Sequence, residues 1–311
     1  MRKYLYAGII LNLMFLLLMI ISCKKDKSVL VADFKVNYKK INAGEKVLFT
    51  DISKGSPLTW SWIFNGGTPF ISSEQNPTVT YSTPGIYAVS LTVTDENSNN
   101  AVVKSEYIEV VEFSCGNNII DNRDYNVYGT IPINNRCWLS RNLNAGILVQ
   151  SNHALADNNI IEKRCFNNDT SFCNLFGGLY TWDELMRYNG SALSGICPTG
   201  FIVPTQQIYT ELIAYAGGAM VAGGNLKQKG MALWQTPNTG ATDTLGFEAL
   251  PSGFLLQNVF MDLYKNTYFW TSDTVSTSEA FAVLLQYNTA EAQLLFQNKN
   301  VAAPLRCVRN L

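Results

Sequence analysis

Apolar and polar residues alternate through much of the first hundred positions. Asp33-Phe34-Lys35-Val36-Asn37-Tyr38, Lys46-Val47-Leu48-Phe49-Thr50 and Tyr87-Ala88-Val89-Ser90-Leu91-Thr92-Val93 each repeat every second residue, the period of a strand with one buried face. Clusters of Gly, Pro, Asn and Ser separate these runs at short intervals, and no helical stretch lies between them. That spacing predicts an antiparallel β-sandwich over residues 29–112. Trp60, Trp62 and Phe64 project from one face of their strand, and at least the middle ring is expected to fill the space between the sheets. Asp51 and Asp95 are expected to form turns rather than to bind metal.

The periodicity of the remaining chain is mixed. Ile208, Leu212, Ile213 and Ala216 fall on one side of a helix that starts after Pro204 and is stopped by Gly217-Gly218. A second short helix is expected around Trp182 to Tyr188. Strand-like runs return at residues 201–203, 280–286 and 305–308, so residues 113–311 are expected to form an α+β domain with long polar loops. Two domains also suit the length, since roughly 290 residues exceed what one compact core usually holds.

The front of the chain has a different character. Arg2 and Lys3 precede an almost unbroken apolar run from Tyr4 to Ile21, which reads as a targeting segment. It ends in Ser22-Cys23, a stretch that resembles the bacterial lipobox. Residues 1–22 would then be a signal peptide, Cys23 the lipidated first residue, and residues 23–28, with Lys24-Lys25-Asp26-Lys27, a short tether. An uncleaved membrane helix is the alternative, because a run of roughly 18 apolar residues can span a bilayer. The lipobox implies anchoring in the outer membrane, facing either the exterior or the periplasm.

Charge narrows the partners. Without Arg2 and Lys3 the 23 basic residues fall to 21 against 24 acidic, a formal charge of −3. Nucleic-acid binding calls for clustered Lys and Arg, and this balance argues against it. Cys115, Cys137, Cys165, Cys173, Cys197 and Cys307 remain after Cys23. An even number in an exported chain reads as disulfides, with fifteen possible connectivities. No CxxC or Cys/His spacing occurs and His153 is the single histidine, so neither a metal site nor a cofactor is expected. Nucleophile and base pairs would rest on His153 alone. Asp183 with Glu184, or Asp243 with Glu248, could supply a glycosidase-like carboxylate pair, but solvated or capping roles are commoner. The chain is therefore expected not to be an enzyme.

Two resemblances add to this. Phe49-Thr50-Asp51-Ile52-Ser53, Trp60-Ser61-Trp62-Ile63-Phe64, Asn76-Pro77-Thr78-Val79-Thr80-Tyr81 and Pro84-Gly85-Ile86-Tyr87 together resemble the PKD (polycystic kidney disease) repeat. That implies an immunoglobulin-like spacer or weak binding module. Asn65-Gly66-Gly67 departs from the acidic turn usual in that family, yet still serves a turn. Trp60 could stack on a sugar, with a core role preferred.

From Asp124 onward, seven ordered blocks look like the Fibrobacter succinogenes major paralogous domain. They are Asp124-Tyr125-Asn126-Val127-Tyr128, Trp138-Leu139-Ser140-Arg141-Asn142-Leu143, Gly178-Leu179-Tyr180-Thr181-Trp182, Cys197-Pro198-Thr199-Gly200-Phe201-Ile202-Val203-Pro204-Thr205, Gly246-Phe247-Glu248-Ala249-Leu250-Pro251-Ser252-Gly253, Phe269-Trp270-Thr271-Ser272 and Arg306-Cys307-Val308-Arg309. The family is similar to the C-type lectin-like fold, which also includes formylglycine-generating enzymes. Trp138, Trp182 and Trp270 are expected in its core.

This second resemblance implies that Cys197 on the entry to one strand pairs with Cys307 on the last. Cys165 and Cys173 are close enough to close a small loop, leaving Cys115 with Cys137. It gives a fold more firmly than a function. Together with the lipobox and the lack of catalytic arrangements, it leads to the expectation of a cell-surface protein binding a glycan or a surface protein without catalysis. An enzyme of the formylglycine-generating type and a purely structural spacer are the alternatives. The Glu-Pro-Asn and Trp-Asn-Asp stretches of calcium-dependent sugar-binding lectins do not occur. Recognition in C-type lectin-like folds usually lies on irregular loops before the closing strands. Here that region is Asp262 to Asn300, with Tyr264, Asn266, Asp273, Thr274, Tyr287, Asn288, Gln297 and Asn298 as ligand-binding candidates.

Overall fold

The computed structural model describes residues 29–190 and 193–311. The targeting run, its membrane-helix alternative and Cys23 lie outside the described residues. The chain is mostly β, and its strands gather into two units.

The first unit holds nine strands: β1 (Phe34–Val36), β2 (Lys40–Asn42), β3 (Lys46–Asp51), β4 (Thr59–Phe64), β5 (Gly67–Thr68), β6 (Ile71–Ser72), β7 (Thr78–Tyr81), β8 (Gly85–Thr94) and β9 (Asn99–Val111). They form two sheets, ordered β1-β3-β7-β5 and β2-β9-β8-β4-β6. The alternating residues Phe34, Val47, Phe49, Trp62, Phe64, Val89, Leu91 and Val93 meet between them. Trp62 is fully buried, with Phe34, Phe49 and Phe64 at ring distances of 5.1, 5.7 and 5.6 Å, so the strand fills the sandwich through its middle tryptophan. Trp60 is only half-buried and donates its indole N–H to Asp51 at 2.8 Å. Asp51 also accepts from the backbone of Ser53, and Asp95 accepts from the backbone of Asn97 and Ser98. Both aspartates thus hold turns.

The second unit begins with β10 (Ile119–Ile120), β11 (Val127–Tyr128), β12 (Thr130–Ile133), β13 (Arg136–Leu139), β14 (Ile147–Leu148) and β15 (Glu162–Lys163). Four short helices follow: α1 (Thr170–Phe176), α2 (Trp182–Leu185), α3 (Gln206–Tyr215) and α4 (Ala219–Leu226). The chain then closes with β16 (Ser252–Leu256), β17 (Val259–Leu263), β18 (Asn266–Thr274), β19 (Glu279–Gln286), β20 (Ala292–Asn298) and β21 (Val308–Asn310). A five-stranded sheet, β17-β16-β18-β19-β20, forms the centre.

Helix α3 starts where expected because Thr205 accepts from the backbone N–H of Ile208 at 3.2 Å, an N-cap. It ends because Gly217 and Gly218 take φ of 100° and 90°, a backbone region that glycine enters without a Cβ penalty. Its Ile208, Leu212 and Ile213 pack with Phe269, Val283 and Leu285 of the sheet. The opposite face meets Trp182, Trp270 and Tyr180. Two of the buried indoles on that side find a carbonyl, Trp270 that of Tyr180 and Trp182 that of Thr271, both at 2.9 Å. Helix is sparser than the pattern suggested. The expected helix around Trp182 is one turn, whereas α1 and α4 fall in segments too short or too glycine-rich to announce themselves. The last strand forms at Val308–Asn310 rather than at 305–308, because residues 304–307 face inward as an irregular buried segment.

That segment closes the unit. Strand β21 pairs with β13, Arg136 opposite Asn310, so the end of the chain lies beside the start of the unit. Disulfides join Cys115–Cys137, Cys165–Cys173 and Cys197–Cys307, the pairs named from the sequence. Arg306 is completely buried. It donates Nε and Nη2 to the Asn142 side-chain oxygen at 3.0 and 2.8 Å, and Nη1 to the carbonyls of Phe247 and Leu139 at 2.6 and 3.2 Å. The guanidinium lies 4.5 Å from the Phe247 ring centre. No carboxylate pairs with it among the described residues, and burial pushes it down to about 10 from its ordinary value.

Two outcomes follow. Arg306→Met strands three buried acceptors, so denaturant unfolding of the second unit should lose about 3 kcal/mol or more, with Arg306→Lys falling between it and the native chain. An unmoved midpoint in Arg306→Met would remove Arg306 from its central role. Cys197→Ala with Cys307→Ala opens a loop of 110 residues and should cost up to about 4.7 kcal/mol on the chain-entropy account. Opening the short Cys165–Cys173 loop should cost only about 2.5 kcal/mol. Denaturant midpoints in the reverse order would contradict this.

Candidate ligand-binding site

Residues 262–300 do not form the irregular recognition loops expected of them. Most fold as the antiparallel run β18-β19-β20, because Tyr268-Phe269-Trp270 and Ala280, Ala282, Val283 and Leu285 are needed to cover the two cores. The eight candidates therefore split into two groups. Tyr264, Asn266, Tyr287 and Asn288 lie at one end, where Asn266 is opposite Gln286 and Tyr287 donates its N–H to the Lys265 carbonyl at 2.8 Å. Asp273, Thr274, Gln297 and Asn298 lie at the other, where Thr274 pairs with Ala280 and Ala280 with Gln297. Along β18, Asn266 of one group and Asp273 of the other are seven positions apart, about 23 Å at the rise of a strand, so the groups cannot form one small-ligand site.

Several also have local roles. Asn266 is buried and donates to Asp262 at 2.6 Å. Asp273 accepts from the first N–H of α3, on Gln206, at 2.5 Å. Asn298 accepts from the Asn300 N–H, and Gln297 accepts from the Asn298 N–H, both at 2.9 Å. Tyr264 packs its ring edge against Phe176. Thr274 and Asn288 are exposed, and Tyr287 is half-buried.

In each candidate carboxylate pair one member holds backbone in place. Glu184 is buried and accepts from the Glu162 N–H at 2.9 Å, and burial raises its carboxyl above the ordinary range. Glu162 accepts from Ala156 and Asn158. Asp243 accepts from the Glu248 N–H at 2.9 Å, while Glu248 accepts from Gln228. Among the described residues no three His, Cys, Asp or Glu side chains gather as metal ligands do.

A concave site lies instead at the seam between the units, where sequence reading placed only a boundary. Strand β2 and the end of β9 form one wall; β10, β11 and the segment before them form the other. Four hydrogen bonds set their spacing. Tyr38 donates its hydroxyl to the Tyr125 carbonyl (3.0 Å), and Asn42 donates Nδ2 to the Asn118 carbonyl (3.0 Å). The Ile120 N–H donates to Glu45 (2.8 Å), and the Lys46 N–H donates to Asn122 (2.7 Å). Glu45 is buried, and its other oxygen accepts the Asn42 N–H at 2.8 Å. On the linker, Phe113 packs on Phe201 and under Arg309, whose guanidinium is 4.0 Å from its ring centre.

These contacts leave a cleft of ≈ 480 Å³ lined by residues of both units, within the usual size range of small-molecule sites. Ile41, Val111, Ile120 and Val127 supply its apolar surface, and Tyr38, Lys40, Glu112, Asn117 and Asn118 its polar groups. No periodicity or motif marks these residues as a set. They lie up to 89 positions apart and meet only because the two units dock.

Comparison with known proteins follows the division into two units. The PKD domain family matches residues 33–105. The PKD1 domain of the Vibrio cholerae metalloprotease PrtV is 26% identical over 26% of this chain and 98% of its own, with a TM-score of 0.22. A structure of carbohydrate-binding modules from the β-sandwich superfamily is 22% identical, covering 36% of this chain and 46% of its own, with a TM-score of 0.25. The adhesin InvE of Yersinia pseudotuberculosis is 10% identical, covering 89% of this chain and 70% of its own, with a TM-score of 0.23. No curated protein matches the chain. The Fibrobacter succinogenes major domain matches residues 131–309, more than half of the sequence, and the chain belongs to that family.

Proposed function

We propose that this chain is a lipid-anchored protein of the outer membrane that recognises a glycan or a surface protein without catalysis. In this reading the PKD-like unit is a spacer and the second unit is the head. The observation that carries it is the opposition of two poles in the first unit. Val31, bridged to Lys54, and Ala32, whose N–H donates to Asn100, lie at the pole where the described chain begins. Tyr38, Asn42, Glu45 and Val111 lie at the other, against the second unit. Strand β8, ten residues long, runs between the poles and gives a span of about 30 Å. A tether at residues 23–28 would thus enter at the pole farther from the head.

A C-type lectin-like arrangement of the head is part of the same proposal. It is supported by the pairing of β21 with β13 and by the Cys197–Cys307 link, which tie the last strand to the start and middle of the unit. The formylglycine-generating alternative calls for a reactive thiolate, and the six described cysteines are held in disulfides. Of the carboxylates in the two candidate pairs, Glu184 and Asp243 accept from backbone N–H groups and Glu248 from an amide.

Lipidation is tested by Cys23→Ala. That variant should remain an unacylated precursor and leave the detergent phase in phase partitioning, whereas unchanged partitioning would favour the membrane-helix alternative. Recognition is tested by applying the detergent-solubilised full chain to arrays of glycans and of surface proteins. Specific retention on either supports the reading, and failure on both leaves the spacer alternative.

A further inference from the structure

We propose that the cleft between the two units binds a short neutral glycan. The inference rests on the recognition reading for the choice of an extracellular ligand, and goes beyond it in naming the site and the ligand's charge.

The first argument is chemical. A pyranose ring presents apolar C–H faces together with hydroxyls that both donate and accept. The cleft matches both features. Ile41 and Val111 from the first unit and Ile120 and Val127 from the second provide apolar surface. Asn117 and Asn118 are exposed beside it, and their side-chain amides are engaged in none of the hydrogen bonds that hold the seam. Each amide offers two N–H donors and an accepting oxygen, a set that can pair with adjacent hydroxyls. Asn118 contributes its backbone carbonyl to the seam, so its side chain is free while its backbone is fixed. The held backbone lowers the ordering cost of binding to that of the side-chain rotamer alone.

The second argument is electrostatic. Three charged side chains line the cleft besides the exposed Glu112, or lie against its lining, and all are engaged. The Lys40 ammonium is 2.6 Å from Glu109. Both oxygens of Glu45 accept hydrogen bonds, one from Asn42 and one from Ile120. Glu112 is exposed and has no ion-pair partner among the described residues. The unbalanced charge at the rim is therefore negative, which opposes uronic acids, sialic acids and phosphate esters and leaves neutral sugars favoured. The shape argues against a folded protein as occupant, since a stable protein contact spreads over roughly 800 Å² per partner, whereas this surface is a concave pocket whose ≈ 480 Å³ is in the range of small-molecule sites.

The test is calorimetric titration of the detergent-solubilised full chain with cellotriose, mannotriose and trigalacturonic acid. At least one neutral trisaccharide should bind, and at least tenfold more tightly than trigalacturonic acid. Asn117→Ala with Asn118→Ala should weaken it tenfold or more, and Glu112→Gln should narrow the gap between neutral and acidic sugars. Thr274→Ala with Asn288→Ala, at the two ends of the head sheet, should leave affinity unchanged, and the melting temperature should be preserved in all three variants. Equal or tighter binding of trigalacturonic acid overturns the charge argument. Full affinity in the Asn117/Asn118 variant moves the site elsewhere and leaves the recognition reading standing. If no trisaccharide binds, the cleft inference falls, and a protein retained on the array would show that recognition survives it.

Discussion

A single buried guanidinium organises the second unit. Among the described residues Arg306 has no carboxylate in salt-bridge contact, so at contact distance its charge meets two backbone carbonyls, the Asn142 amide oxygen and the rings of Phe247 and Phe269. A buried ion in that position is tolerable only when every N–H finds an acceptor. Its acceptors come from the end of β13, from Asn142 and from the segment around Phe247, parts of the chain that share no secondary structure. Asn142 in turn donates to the Phe176 carbonyl at the end of α1. Satisfying one side chain therefore requires that the start, middle and end of the unit be assembled together. The Cys197–Cys307 link and the pairing of β21 with β13 act on the same closing segment, and all three depend on residues 304–310 being drawn inward.

The seam between the units is built on the same principle with milder groups. Glu45 is a buried carboxylate that accepts from Asn42 in its own unit and from Ile120 in the other. Hydrogen bonds to a carboxylate are stronger than neutral ones, and a geometry that satisfies Glu45 leaves little freedom at the joint. Phe113, clasped between Phe201 and Arg309, removes more of the linker's freedom. A cleft lined by two units has a defined shape only if their relative position is held, and these contacts hold it. The two units are thus held together, with the concave surface at the joint rather than at the ends of β18 to β20.

The central sheet shows why β18 and β19 offer little surface for recognition. Strands β18 and β19 are covered on both faces, by α3 and α4 on one side and by the cluster around Trp182 and Trp270 on the other. The polar residues near their ends cap a helix or close turns, as Asp273, Gln297 and Asn298 do. Side chains already engaged with the backbone have few groups left for a ligand, whereas the free amides at the seam retain theirs.

What the sequence determined by itself was local. Alternation marked the strands of the first unit and placed Trp62 in its core, because the side-chain period of a strand is a property of neighbouring residues. Thr205 and Gly217-Gly218 bounded α3 through a cap and a positive φ, which are likewise short-range effects. The ordered blocks from Asp124 to Arg309 marked the family. The tertiary structure decided the rest. Residues 262–300 are polar enough to read as loops, yet their apolar members are required by two cores at once, and that demand made strands and pulled the candidate residues apart. Arg306 gave no sign of burial, since an arginine enters a core only when distant carbonyls converge on it. The cleft was invisible for the same reason: Tyr38, Val111, Asn118 and Val127 share no period or spacing, and become one surface only when Glu45 and its partners dock the two units.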